Sequence, residues 1–183
     1  MNSLIIPVYK NEKNIPALLN TIEELNRKIF SLEVVFVVDG SPDNSAALLK
    51  GMLQGSTLTA QLVVLSRNFG SFSAIRTGLQ TARGQYFAVM AADLQEPPEL
   101  VHLFFQKLAT EEFDIVLAAR ESRADPFFSK ISSIIFWKLY KKFVISEMPE
   151  GGVDVFACNQ VFRDHLLRLD ESHSSLIALL FWM

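Results

Sequence analysis

Three clusters of polar residues in this chain have types suited to chemistry, and each follows a short apolar run. Pro7, Tyr9, Asn11 and Glu12 follow the first run, Asp39, Gly40 and Ser41 the second, and Asp93, Leu94, Gln95 and Glu96 a later one. A carboxylate such as that of Asp93 can ligate a hard cation, take a proton from a hydroxyl, or accept hydrogen bonds from a ligand. A neighbouring carboxamide such as Gln95 can add an oxygen to a cation's shell. Taken singly each cluster is a weak signal, because an Asp-Gly pair after a strand is frequently only a turn. Their chemical value depends on whether the fold gathers them at one edge.

The residues between the clusters predict that it does. Ser3–Val8, Glu33–Val38, Gln61–Ser66, Gln85–Met90 and Asp114–Ala119 are nearly continuous apolar runs, the pattern of strands covered on both faces. Helical stretches are predicted over Ile15–Ile29, Asp43–Leu53, Ser71–Ala82 and Pro98–Ala109. Asn14 is expected to cap the first, with Pro16 in its opening turn, and Asp43 the second. Glu96 is expected in the first turn of the fourth, where its charge suits the helix dipole. Strand–helix alternation predicts an α/β fold with a mostly parallel central sheet flanked by helices. Ligands in such sheets sit outside the carboxyl ends of the strands, where all three polar clusters fall.

Length and composition narrow the function classes. With 183 residues, half of them apolar, the chain is expected to form a single domain over residues 1–183 with its own core. Seventeen Lys and Arg against 20 Asp and Glu leave a net charge of −3, which excludes a generally basic nucleic-acid binder. The single cysteine, Cys158, excludes an internal disulfide framework and a cysteine-based zinc site. It reads as a small buried hydrophobe in a reducing compartment. Mean hydropathy is high at +0.24, yet no apolar run approaches the roughly 20 residues of a spanning helix. The N-terminus lacks the basic and long apolar segments of a secretory signal. Ser129–Val144 sets Lys130, Lys138, Lys141 and Lys142 among aromatic and aliphatic residues. That pattern suits an amphipathic helix packed on the sheet or lying on a membrane surface. The chain closes on an apolar stretch, Leu176 to Met183, expected to be exposed and to contact a membrane. The sequence holds no G-x-G-x-x-G after the first strand, no P-loop, no H-E-x-x-H and no G-x-S-x-G. Dinucleotide dehydrogenases, P-loop NTPases, zincins and α/β-hydrolases are thereby set aside.

The strings IPVYKNEKNI, VFVVDGSPDNS, NFGSFSAIRTGLQTARG and AADLQEPPEL, in that order, resemble the family 2 inverting glycosyltransferases of the GT-A fold. The likeness is nearest to the branch containing polyprenyl-phosphate glycosyltransferases and dolichol-phosphate mannosyltransferase, and it runs from about Ser3 to Asp170. The resemblance implies an enzyme, a metal-dependent hexosyltransferase with a UDP- or GDP-linked sugar as donor. It implies donor contacts from Pro7, Tyr9, Glu12, Asp39, Ser41, Asn68 and Arg123, and a Mg2+ or Mn2+ ion held by Asp93 and Gln95. It implies Arg120 as a cation near the phosphates and acceptor, and Asp154 as the acid beside the acceptor. The implied acceptor is polyprenyl phosphate or a lipid-linked glycan in cell-surface polysaccharide synthesis. The implied place is cytoplasmic and peripheral, at the inner face of the cell membrane, with self-association left open.

Three positions depart from the family's pattern. Val38 precedes Asp39 where the family commonly has an acid, Ala91 stands where the first acid of D-x-D is common, and Lys10 interrupts the usual P-x-Y-N-E. Two carboxylates are thus replaced by apolar side chains, so metal binding through Asp93 is expected to be weaker. An alternative follows from these losses: a sugar-nucleotide-binding domain with little or no turnover, or a piece of a longer protein that ends before a membrane-anchoring region.

Overall fold

The computed structural model describes residues 1–110, 113–119, 153–169 and 176–182. The described residues form six strands, β1 (Asn2–Val8), β2 (Leu32–Val38), β3 (Thr59–Val64), β4 (Tyr86–Val89), β5 (Ile115–Ala119) and β6 (Val153–Asn159). The helices, in chain order, are α1 (Ile15–Lys28), α2 (Ser45–Leu53), α3 (Ser71–Thr81), α4 (Glu99–Thr110), α5 (Gln160–Arg168) and α6 (Leu176–Trp182). The chain divides into two compact units, Met1–Val116 with Val155–Leu169, and Leu117–Asp154 with Asp170–Met183.

The sheet order is β3-β2-β1-β4-β6-β5. β1 pairs in parallel with β2 and β4, β2 with β3, and β6 runs antiparallel to β4. The predicted mostly parallel α/β sheet is therefore the observed one. All seven residues of β2 are buried, Glu33 among them, and its apolar run from Val34 to Val38 is the pattern of a strand covered on both faces. α1 buries Ile15, Leu18, Leu19, Ile22 and Leu25, the three-and-four spacing of one helical face. α3 lies over β1 and β2. Gly78 allows the close approach, since a Cβ there would stand 2.4 Å from Ile5 Cγ2 and 3.3 Å from Val37 Cγ2.

A buried polar knot ties the amino edge of the sheet. Glu33, only 1% exposed, accepts from the Ser3 hydroxyl at 2.7 Å, the Gln61 carboxamide at 2.8 Å and the Arg83 backbone N–H at 2.9 Å. Ser3 Oγ in turn accepts from the Gly84 N–H at 2.9 Å. The knot thus joins β1, β2 and β3 to the connection between α3 and β4.

Several expectations are corrected. β3 is an edge strand with Val64 57% exposed, so its apolar run is covered less than predicted. Asn14 sits at the start of α1 but makes no side-chain cap bond. Its φ of −89° and ψ of −20° are helical, whereas a capping side chain works from an extended backbone. α2 begins at Ser45, so the cap position falls on Asn44 and not on Asp43. Glu96 precedes α4, whose first turn carries Glu99 instead. β6 and α5 were not predicted from periodicity. The closing apolar run forms α6, with Leu179 and Leu180 each 5% exposed, so it is not the freely exposed patch expected. Cys158 is fully buried, and burial pushes its thiol up to about 12, with the Arg163 charge opposing only in part. It is a packing residue, as expected.

The Glu33 knot makes the first testable outcome. Glu33→Ala strips the acceptor from three buried or half-buried donors at once, and should cost on the order of 3 kcal/mol of stability in urea denaturation.

Candidate functional site

The strand order reverses at β1. From β1 the chain moves outward through β2 to β3, then returns to place β4 on the other side of β1. Loops leaving β1 and β4 therefore diverge and leave a crevice at their carboxyl ends, where open α/β sheets hold ligands. A cleft of about 260 Å3 occupies that place. Pro7, Val8, Tyr9 and Asn11 line it from β1 and its loop, and Asp39 from the end of β2. Asn68, Gly70, Ser71 and Ala74 line it from the start of α3, and Ala91, Ala92 and Asp93 from the end of β4. A larger hollow of about 560 Å3 at the opposite edge is lined by Tyr86, Leu108, Phe113, Asp114, Asn159 and others. Volume does not make that hollow the site, because it lies at the amino ends of β4 and β5, and Asp114 is occupied by the Asn159 carboxamide at 2.6 Å.

Each wall of the smaller cleft is built by local chemistry. The Asp39 N–H donates to Val8 O at 2.9 Å, extending the parallel ladder by one residue. Gly40 then turns with φ of +54°, and a Cβ there would fall 2.1 Å from the Arg67 carbonyl carbon. Only glycine admits the chain so close at that dihedral. The Asp39 carboxylate is 3% exposed. It accepts the Phe69 N–H on Oδ1 and the Gly70 N–H on Oδ2, both at 2.8 Å. Gly70, at φ of +94°, opens α3, and Ser71 brings the helix's first turn to the cleft.

Asp93 is exposed at the mouth, and its Oδ1 accepts the Gln95 N–H at 3.2 Å. Leu94 between them holds φ of +58°, and Lys10 on the β1 side holds φ of +56°. Non-glycine residues in that region are uncommon and need support from their surroundings. The ring of Tyr9 is 40% exposed and carries Lys10 Nζ 5.3 Å from its centroid. On the α3 side, the Arg67 guanidinium lies 4.7 Å from the Phe69 centroid.

The predicted residues separate into groups. Pro7, Tyr9, Asp39, Asn68 and Asp93 are brought together around the cleft. Glu12 and Ser41 do not line it. They tie the loop after β1 to the loop after β2. Ser41 Oγ accepts the Lys10 N–H at 2.8 Å and donates to Asp43 Oδ1 at 2.5 Å. Asp43 Oδ2 accepts the Glu12 N–H at 3.1 Å, while Glu12 Oε2 accepts the Asn44 N–H at 3.0 Å. Gln95 is exposed beside Asp93 and outside the lining. Arg120 and Arg123 lie outside the described residues, as do Lys130, Lys138, Lys141 and Lys142. Asp154 is the second residue of β6, and its side chain also lies outside them. Sequence reasoning missed the part played by Asp43, which it read only as a helix cap. The S-P-D-N spacing was the available signal, since short polar side chains bond backbone two residues on, as Asp43 does with Ser45 N–H at 3.2 Å.

Among the described residues no group of three His, Cys, Asp or Glu side chains could hold a metal ion. Ala91 and Ala92 beside Asp93 offer no side-chain donor. That donor set fits a cation carried by one carboxylate, waters and the oxygens of a bound diphosphate, a mode Mg2+ commonly adopts. It does not fit a cage built by protein alone.

A mostly parallel sheet with one antiparallel strand inserted beside β4, and acids at its carboxyl edge, is the GT-A glycosyltransferase fold. Solved structures share it. A mannosyltransferase from Pyrobaculum calidifontis, in complex with GDP-Man and Mn2+, superposes with a TM-score of 0.66 at 20% identity, over 90% of this chain and 46% of that one. S. aureus TarS 1-349 gives 0.64 at 21% identity, over 98% and 53%. The chain belongs to glycosyl transferase family 2, whose sequence model matches residues 3–169. It is 33% identical over 175 residues to an undecaprenyl-phosphate 4-deoxy-4-formamido-L-arabinose transferase of Aeromonas hydrophila subsp. hydrophila, covering 92% of this chain and 52% of the relative. The Pseudomonas paraeruginosa transferase of the same description is 36% identical over 124 residues, covering 67% and 36%. The chain spans about half the length of the Aeromonas relative.

The loop-to-loop tie has a pH signature. Partial burial pushes the Asp43 carboxyl up, but bonds from Ser41, Ser45 and the Glu12 N–H outweigh it and lower it from 3.8 to about 2. A depressed carboxyl adds stability above its unfolded pKa and loses it as pH falls through the folded one. The stability difference between the wild type and Asp43→Asn should therefore be full above pH 3.8 and shrink toward about 2. Urea denaturation at a series of acid pH values measures it.

Proposed function

We propose that the cleft binds a nucleotide-sugar donor, UDP- or GDP-linked, and that the chain transfers the sugar with inversion to a polyprenyl-phosphate or lipid-linked acceptor. The observation that carries the reading is the placement of Asp93, Tyr9, Asn68 and the start of α3 around one cleft at the reversal of strand order. Pro7 and Tyr9 offer a flat wall for the base, and Asn68 a carboxamide for ribose or base. The first turn of α3 presents backbone N–H groups and the positive end of the helix dipole to a diphosphate. Asp93 is the carboxylate positioned to share a cation with that diphosphate. A divalent ion so held, Mg2+ or Mn2+, supplies charge that offsets the growing charge of the leaving nucleoside diphosphate.

The acceptor decides what else is needed. An attacking sugar hydroxyl needs a base, and Asp154 is assigned that role here. A lipid phosphate is already an anion, and Asp154 then orients it or its cations. Arg120 and Arg123 are assigned to phosphate oxygens, which guanidinium forks suit. A second reading, donor binding without turnover, draws on Ala91 lining the cleft where a second carboxylate would strengthen the cation's grip.

Thermal unfolding with UDP- and GDP-sugars, with and without Mn2+, tests the donor site. A donor at a hundredfold over its Kd should raise Tm by about 5–10 °C, and Asp93→Ala should lose the Mn2+-dependent part. Undiminished Mn2+-dependent stabilisation in that variant removes Asp93 from the site. Ala91→Asp should tighten Mn2+ in calorimetry with UDP present. Donor turnover by the wild type separates transfer from binding alone.

The chain is further proposed to act at the inner face of the cell membrane as a peripheral protein. Among the described residues no helix is long and apolar enough to cross a membrane. Lys130, Lys138, Lys141 and Lys142 are assigned to anionic headgroups, each contributing about 1 kcal/mol near such a surface. Co-sedimentation with anionic vesicles should fall at high salt. Equal binding to neutral vesicles would remove the lysines from the interaction.

A further inference from the structure

We infer that Asp39 is a positioning residue for the donor cleft. Its carboxylate holds the segment that opens α3, and it acts on the donor through that segment. The inference rests on the reading of the cleft given above and assigns Asp39 a task that the family resemblance does not.

Residues Ser66 to Ser71 are all exposed, so beyond the close backbone contact of Arg67 and Asn68 with Gly40 no side-chain burial fixes the path of this segment. It still carries two cleft residues, Asn68 and Gly70, and delivers Ser71 to the same wall. The Phe69 and Gly70 N–H groups come just before the helix and have no helical acceptor of their own. Asp39 supplies one oxygen to each, at 2.8 Å. Bonds to a carboxylate are about twice as strong as those between neutral groups, and burial of this one, 3% exposed, shields them from water. Gly70 N–H also meets Asn68 Oδ1 at 2.9 Å, so the Asn68 side chain that faces the cleft is set by the same backbone group.

Electrostatics alone points the other way. A carboxylate beside the start of a helix opposes a second anion there, so neutralising it without disturbing the backbone would tighten diphosphate binding. A carboxylate reading a base edge would discriminate between bases. A carboxylate that positions the segment makes every ligand of the wall depend on it equally. The three roles therefore predict different outcomes for one substitution.

Asp39→Asn replaces one acceptor oxygen with a donor that faces an N–H. Amide hydrogen exchange of the ligand-free chain should show Phe69 and Gly70 protected in the wild type and exchanging much faster in the variant. Calorimetry with UDP, GDP and pyrophosphate, each with Mn2+, should show all three weakened by a common factor of about ten. Asp39→Glu, which keeps the charge but displaces it by one methylene, should weaken all three as well. Rapid exchange at both amides in the wild type overturns the inference, and that measurement needs neither a folded variant nor a correct ligand. Tighter pyrophosphate binding in Asp39→Asn, or a loss confined to one base, overturns it too. Failure of the wild type to bind any of the three ligands, with both amides protected, would refute the donor site and leave the clamp standing.

Discussion

Everything at the carboxyl edge depends on β1 having parallel neighbours on both sides. Because β2 and β4 both pair with it, the chain must reverse its direction of travel across the sheet there. The loops that leave β1 and β4 cannot close over each other, and the crevice between them is a topological necessity. What fills its walls is then a matter of side chains. Apolar β1 and β4 deliver Pro7 and Ala91 to their rims by ladder register alone, since Met90 N–H still bonds Ile5 O at 3.1 Å. Neither rim needs a dedicated scaffold.

The parallel part of the sheet was legible because its strands are buried on both faces and so have continuous apolar sequences. Position after a strand was enough to bring Pro7, Tyr9, Asp39 and Asp93 to one place. The antiparallel strand β6 was not legible. Its VDVFACN sequence sets a charge, Asp154, and a polar residue, Asn159, among the apolar ones, which breaks the continuous apolar pattern. The ties between Glu12, Ser41 and Asp43 were also hidden. They join loops about thirty residues apart, and nothing in local spacing announces which loops will meet. The family resemblance implies donor contacts for Ser41 and Glu12, and it carries no sign of the ties between their loops. In the structure their bonds go to each other's loops.

The replaced acids divide in the same way. Val38 is fully buried and belongs to the interior of the sheet. Ala91 lines the cleft, where its methyl group leaves Asp93 as the carboxylate on that rim. One departure from the family pattern thus lies in the packed interior, and the other on the wall of the cleft.

The ends of β2 have a further consequence for assembly of the sheet. Its interior, Val34 to Val38, is apolar at every position, so moving it by one residue against β1 would still bury only hydrocarbon. Alternation, which ordinarily penalises such a slip, is absent. Glu33 and Asp39 supply the penalty. Their side chains, six residues apart, leave the same face as Val37, and they grip backbone N–H groups on either side of α3, Asp39 those of Phe69 and Gly70 before it and Glu33 that of Arg83 after it. A shifted strand would drag one carboxylate into the hydrocarbon interior and pull the other off its donors. The two acids act as end stops, and a strand whose own sequence cannot count its residues is aligned by the helix lying across it.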